Sequence, residues 1–410
     1  MPPLNLKPTP LSLADYTAKA LETDRFGEER DGLTQLSFGL FGEIGGLLAA
    51  VKKASRDTLK EAEAFVAGQE IGDSLWYLVV LAHHGKVSPE LLGETAMASL
   101  REKLCEGPHH PNSAITFEEL DSLAELHYAV HVEKREVLLR DVAFAAGTIT
   151  RTPQADYQTW PAEAVAATLG SLLAQLTMVA RSFRLDLASI ARDNLDKIKD
   201  RWPGTTGPLP YIELFDATGF LPHEQLPRGE FQIDFIPRVI GGREVVVQQW
   251  AGVNIGDPLT DNSNVADWYR YHDVFHLSYM AHLGWSPVLR ALLKLKRKSR
   301  PTFDENEDGA RAIIIEEGIA TWIFNHAKER KDDFDAVSFG RLDFGLLKQV
   351  QTMVRGYEVH ACPLWQWEKA ILDGFKVFRE LKAATKGSVI VNIAQHSIRF
   401  EGAKPQGVEA

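Results

Sequence analysis

The chain has 410 residues, 45% of them apolar and 25% charged, a composition that calls for two or three folded units and excludes extended disorder. Asp and Glu outnumber Lys and Arg by 56 to 45, a net charge of −11, which argues against a protein that coats nucleic acid or an anionic membrane. With Cys105 and Cys362 as its two cysteines, the chain can build neither a disulfide framework nor a thiolate zinc cluster, and a reducing cytoplasm is the expected compartment. The start Met1-Pro-Pro-Leu lacks the order of a signal peptide, and no run approaches the ~20 apolar residues of a bilayer span, so no membrane partner is expected.

In chain order, the apolar spacing is helical from Gly32 to Lys103, as in Leu33, Leu36, Leu40 and then Leu75, Leu78, Val79, Ala82. A proline- and glycine-rich stretch at 107–113 interrupts it. Helical spacing resumes from about Phe117 to Trp202, opened by the capping box Thr116-Phe-Glu-Glu119, and a second interruption falls at 203–210. Beyond it Phe231-Gln-Ile-Asp-Phe-Ile alternates with period two, and Gly241-Gly242 separates it from Arg243-Glu-Val-Val-Val-Gln, the pattern of a hairpin. Helices are predicted near 264–283, 309–327, 344–357 and 364–382, and a closing strand pair at 389–393 and 397–400. The expected fold is therefore multidomain: an all-α module in two halves, 30–106 and 116–203, followed by an α+β domain over 211–410.

The two helical halves overlay as a degenerate tandem repeat. Glu70-Ile-Gly-Asp-Ser-Leu-Trp-Tyr77 falls on Ala167-Thr-Leu-Gly-Ser-Leu-Leu-Ala174, and Phe41-Gly-Glu-Ile-Gly-Gly46 on Phe144-Ala-Ala-Gly-Thr148 with a gap. The chemistry is unequally divided. Glu43, Glu70 and Asp73 fall on Ala145, Ala167 and Gly170, whereas Asn194 and Lys197 of the second half fall on Ala96 and Ser99 of the first.

Glu70 and Asp73 are spaced i, i+3 and share a helix face, with Glu43 able to face them from the preceding helix. Three carboxylates together repel unless a cation lies between them, and hard oxygen ligands select Mg²⁺ or Mn²⁺ over softer metals; the bland reading is a solvated acidic helix face. These residues resemble the MazG-like all-α NTP pyrophosphohydrolases, whose Glu-x-x-Glu and Glu-x-x-Asp motifs are similar to Glu43-Ile-Gly-Gly46 and Glu70-Ile-Gly-Asp73. Their Asn-x-x-Lys-x-x-x-Arg ending is similar to Asn194, Lys197 and Arg201. The resemblance covers roughly residues 30–203. It implies Mg²⁺-dependent hydrolysis of a nucleoside triphosphate to monophosphate and pyrophosphate, with Asn194, Lys197 and Arg201 meeting the substrate. Gly46 stands where the family has a second acid. Lys52 and Lys53 are candidates to meet phosphate charge, or are solvated lysines. Family members commonly work as oligomers; a homo-oligomer is compatible with the resemblance, and a fused repeat would make an internal pseudodimer with one composite site. The alternative reading is a nucleotide-sensing module that binds without cleaving and regulates the C-terminal domain.

In Trp268-Tyr-Arg-Tyr-His-Asp-Val-Phe-His276, His272 and His276 are i, i+4, a spacing at which two imidazoles chelate one metal from a single helix face. Ile315-Glu-Glu-Gly-Ile-Ala320, on the next long apolar helix, offers a carboxylate. The segment resembles gluzincin metal sites, and by that likeness Glu317 is the third ligand and Asp273 the general base of a Zn²⁺ or Mn²⁺ centre. The His272-Asp273 pair is also similar to the core of HD phosphohydrolases. The rival is a dry aromatic pocket in which the histidines bond Tyr269 and Tyr279. The run Leu293-Lys-Leu-Lys-Arg-Lys-Ser-Arg300, followed by acids, reads first as a solvated, self-compensating charge run, with phosphate capture by its basic half as the alternative.

Overall fold

The computed structural model describes residues 9–26, 31–56, 63–107, 114–154, 159–203, 207–214 and 219–402. Residues 108–113 and 204–206 of the two expected breaks therefore lie outside the described residues. The chain divides into two compact units: one holds residues up to Lys199 together with Gly204–Gly207, the other Asp200–Pro203 and everything from Pro208.

Among its described residues the first unit is built of helices joined by turns, with one isolated β-bridge between Ser12 and Thr116. Its helices are α1 (Leu13–Leu21), α2 (Gly32–Arg56), α3 (Glu63–His84), α4 (Pro89–Leu104), α5 (Phe117–Glu125), α6 (Tyr128–Glu133), α7 (Arg135–Arg151), α8 (Ala162–Ser182) and α9 (Leu187–Arg201). The capping box is present: Glu119 N–H donates to the Thr116 hydroxyl at 3.3 Å and Thr116 N–H to the Glu119 carboxylate at 2.8 Å. Ser88 caps α4 with Pro89 in its first turn, as helix starts favour. The start of α9 is capped from another helix. Asp121 of α5 accepts from the N–H groups of Leu187 and Ala188 at 2.8 and 2.9 Å; burial drives its pKa up to about 6 despite those bonds. α8 is lined on one face by Leu169, Leu172, Leu173 and Leu176, all fully buried, the stripe that seats it in the core. Contrary to expectation, Gly32–Lys53 and Ala162–Ser182 are long and apolar enough by length and composition to cross a membrane; the second is mostly buried within this unit, as the core helix of a folded unit would be.

The second unit is built on a five-stranded antiparallel sheet ordered β3-β2-β1-β4-β5, with β1 Glu230–Ile240, β2 Arg243–Trp250, β3 Val253–Leu259, β4 Gly387–Asn392 and β5 Ser397–Gly402. The hairpin register pairs Ile240 with Arg243, so Gly241 and Gly242, at φ +58° and +78°, are the two residues of a turn that demands positive φ twice. Phe231, Ile233 and Phe235 alternate into the core. Against that sheet lies α10 (Asp273–Leu283), every residue of which is buried, and against α10 lies α15 (Leu364–Ala384). At their closest approach, a Cβ on Gly374 would be 3.0 Å from the Ser278 Cβ. The remaining helices are α11 (Pro287–Leu292), α12 (Pro301–Asn306), α13 (Ala310–Arg330) and α14 (Phe344–Met353).

Three expectations change here. The helix expected from 264 begins at Asp273, because Trp268 takes a left-handed φ of +71° and a short 3₁₀ turn, Tyr269–Tyr271, intervenes. Strand β3 and helices α11 and α12 were not expected. The basic run is not wholly solvated: Arg297 is buried and holds Asp308 and Glu358 at 2.7 Å each.

Candidate metal centres

In the helical unit, Glu43 of α2 meets Glu70 and Asp73 of α3, the hairpin α2–α3 being its most extensive helix pairing. The Glu43 carboxyl is hydrogen-bonded to Glu70, and burial, the Asp73 charge and that bond push its pKa up to about 7. The second half reaches into this cluster. Asn194 Nδ2 donates to Asp73 Oδ1 at 3.1 Å, the Lys197 ammonium pairs with the other Asp73 oxygen, and Tyr16 of α1 donates to Asn194 Oδ1 at 2.7 Å. Asn194 is 4% exposed, and its amide is thus oriented by two partners. Gly72 permits this approach, since a Cβ there would lie 3.2 Å from the Asn194 Cβ. A hollow of about 160 Å³ between α3 and α9 has Gly68, Gly72, Asn194 and Lys197 in its walls. Tyr16, outside the expected boundary at residue 30, carried no sequence signal.

At Gly46, where the resemblance calls for an acid, a Cβ would lie 2.8 Å from Glu70 Cδ, at the end of a flexible side chain that can shift to admit it. The missing side chain leaves the room that Glu70 occupies. Three carboxylates face one ammonium here, with both Asp73 oxygens engaged by Asn194 and Lys197. Lys52 and Lys53 are exposed toward the end of α2. Arg201 departs from expectation: it is 3% exposed and belongs to the second unit, where it pairs with Glu368 and donates to the Leu342 carbonyl at 2.7 Å. A guanidinium buried on a buried carboxylate is held there by the cost of stranding either charge, so it is not offered to a nucleotide.

In the second unit, His272 and His276 face Glu317 of α13. Glu317 Oε2 is 3.8 Å from His272 Nε2 and 3.5 Å from His276 Nε2. One donor atom from each of the three lies within 4.8 Å of the others, and among the described residues no other trio of His, Cys, Asp or Glu closes up this far. The other ring nitrogens are committed: His276 Nδ1 to Glu316 Oε1 at 2.8 Å, His272 Nδ1 to the Tyr269 carbonyl at 2.9 Å. Glu316 is itself fixed by the Ser286 hydroxyl at 2.7 Å and Val288 N–H at 2.8 Å. A carbonyl or carboxylate accepting at Nδ1 keeps one proton there, so that loss of the other ring proton would leave the Nε2 lone pair facing Glu317. His276 Nε2 is buried and makes no hydrogen bond. Burial alone would lower the His276 pKa, but the Glu316 and Glu317 carboxylates outweigh it and hold it well above the ordinary value. Asp273, buried, is 3.0 Å from His272 Nε2 and accepts from Gln248 Nε2 at 2.7 Å; burial would raise its pKa, and the histidines more than reverse that.

The aromatic alternative is realised only in part. Tyr269 stacks on His272 at 4.2 Å between ring centroids, but its hydroxyl is bonded to Thr321 at 2.6 Å, and Tyr279 meets His276 edge-on. Glu316, Gln248 and Ser286 were missed as supports. For Glu316 the adjacent acids of Ile315-Glu-Glu were a signal, since neighbours on a helix point about 100° apart and can serve two shells. Gln248 and Ser286 carried none.

Residues 210–404 match the family model of the MazG C-terminal domain. No curated protein and no solved structure matches the chain. The MazG C-terminal match falls in the second unit and spans the histidine helix and α13. It offers no support for the gluzincin or HD likeness, and the MazG likeness of the helical unit rests on the motifs described above.

Proposed function

We propose that the protein is a MazG-type nucleotide pyrophosphohydrolase whose reaction centre is the acidic cluster of the helical unit. The observation that carries this reading is that Asn194 and Lys197 cross from the second helical half to the very carboxylate, Asp73, that completes the acid motif of the first. A MazG C-terminal domain in the same chain supports it. Glu43, Glu70 and Asp73 are the residues that would hold Mg²⁺. Bound there, Mg²⁺ supplies charge neutralisation for a triphosphate and polarises an attacking water. Glu43, titrating near 7, is suited to give up or accept a proton at neutral pH. Lys197 and Asn194 orient Asp73 and bring N–H donors to the cluster. In the reaction a water oxygen bonds to the α-phosphorus, the bridging oxygen leaves with pyrophosphate, and the water's proton is released. A second reading, nucleotide binding without cleavage to regulate the C-terminal domain, is favoured by Gly46, which leaves the cluster one acid short.

The test is incubation with each ribo- and deoxyribonucleoside triphosphate and Mg²⁺, followed by separation of products. Glu70→Gln keeps side-chain volume while removing one charge, and is expected to cut pyrophosphate release at least roughly 100-fold with an unchanged melting temperature. Tight nucleotide binding with no pyrophosphate from the unaltered protein would favour the sensing module instead.

A further inference from the structure

The second unit holds a cleft of about 820 Å³ whose wall includes His272, Asp273 and Glu317. We infer that it is a distinct metal-dependent site, in which His272, His276 and Glu317 bind one transition metal and the cleft admits a neutral or cationic ligand rather than a phosphate ester. This reading does not depend on the activity of the helical unit.

Geometry carries the metal. Both imidazoles bring Nε2 within 3.8 Å of one Glu317 oxygen, with Asp273 Oδ1 3.0 Å from His272 Nε2 on the same side, and each has its Nδ1 fixed, one by a buried carboxylate and one by a backbone carbonyl. A buried nitrogen without a hydrogen-bond partner is costly, and His276 Nε2 is such an atom. Glu316 is 0% exposed and triply bonded, which is more than a surface ion pair needs and what a ligand-orienting group requires. Two nitrogens and one carboxylate oxygen without a thiolate suit Zn²⁺ or Co²⁺. Glu317 is only partly buried, so the coordination side it faces opens to the cleft.

Charge selects the ligand. The cleft wall carries the carboxylates of Asp257, Asp261, Asp267, Asp273 and Glu317 and a single ammonium, Lys328. Lys328 is already paired with Asp267 at 2.7 Å, and Asp261 is clamped by Arg270 from behind. Adding a dication leaves the cleft net negative, and a low-dielectric wall focuses that field. A triphosphate or phosphodiester would meet repulsion; a neutral or cationic ligand would not.

The experiment uses the full chain carrying Glu70→Gln, so that the acidic cluster does not compete for metal. Dialysis against Co²⁺ is expected to leave one cobalt per chain with a visible absorption band, and Glu317→Gln is expected to weaken retention at least tenfold while leaving the far-ultraviolet circular dichroism unchanged. His276→Ala should abolish retention; if that variant does not fold, Glu317→Gln alone decides. Lysine hydroxamate, a cationic carbonyl-type chelator, should shift the cobalt band at concentrations where inorganic phosphate and ATP leave it unmoved. No retained cobalt, or equal retention by Glu317→Gln, overturns the metal site. A band that phosphate shifts as readily as the hydroxamate overturns the ligand class.

Discussion

Two helix crossings in the first unit are related by the internal overlay. At one, α3 meets α9: Gly72 faces Ile190 and Asn194, and Asp73 is bonded by Asn194 and Lys197. At the other, α8 meets α4: Gly170, the counterpart of Asp73, packs onto Thr95 and Ala96, the latter the counterpart of Asn194. Ser99, counterpart of Lys197, reaches Ser171 at 3.3 Å. The contact recurs with its partners exchanged between the halves. At the matching positions of the α4–α8 crossing, the uncharged residues Gly170, Thr95, Ala96 and Ser99 are enough to build the contact. Packing therefore does not require the acid, amide and cation found at the other, and desolvating a part-buried ion pair adds little stability in itself. The polar set at the α3–α9 crossing is accordingly best explained by chemistry.

The sharpest way to break this comparison is to install the acid where it is absent. A Cβ on the buried Gly170 would lie 2.8 Å from Thr95 Cβ and 2.9 Å from Ala96 N, so Gly170→Asp overpacks the crossing and buries an unpaired charge. A loss of about 3 kcal/mol or more in denaturant unfolding is expected, partly recovered by adding Ser99→Lys. A neutral Gly170→Asp would mean that the α4–α8 crossing is not held by close packing, and the contrast between the two would lose its basis.

A smaller effect is expected at the polar crossing. Lys197→Ala removes the ammonium beside Asp73, which is 25% exposed at its side chain, so solvent replaces much of what is lost. Stability should change by less than ~1 kcal/mol, while kcat/KM for the cleaved nucleotide should fall about tenfold, or about 1.4 kcal/mol of transition-state stabilisation. Unchanged kinetics would reduce the second half to scaffold.

Much of this architecture is legible in the residues, and the gaps have physical causes. Helical periodicity, the Thr116 capping box, the Gly241-Gly242 turn and the 70/73 and 272/276 spacings are local patterns, and local geometry enforces them. Strand β3 escaped because it is an edge strand: five of its seven residues are exposed, it bulges opposite β2, and it contains Pro258, so it shows no alternation. The place of Arg201 is not legible in the sequence because its partner, Glu368, is 167 residues away, and no spacing rule sees a buried ion pair at that separation. The asymmetry of the halves was visible from the overlay alone. The exchange of partners between crossings needed coordinates.

The finest test of the comparison is titration of Glu43, whose counterpart Ala145 has no proton to lose. In the folded protein its pKa is raised from 4.5 to about 7, chiefly by burial, then by Asp73 and by its bond to Glu70, with Lys197 opposing. A folded-state pKa above the unfolded one means that the native state binds more protons between about 4.5 and 7. Unfolding then releases protons, and the stability of the metal-free protein should fall as pH rises through that window. Metal binding has the opposite slope, because a ligand must shed its proton first: Mg²⁺ affinity should rise with pH and level off above about 7. Glu43→Gln removes both slopes, and at pH 8 the metal-free variant should melt higher than the unaltered chain while binding Mg²⁺ more weakly. Measuring melting temperature against pH with and without Mg²⁺ checks the two signs together. If Glu43→Gln left both profiles as they were, Glu43 would be a spectator, and the acid cluster would reduce to the i, i+3 pair on α3.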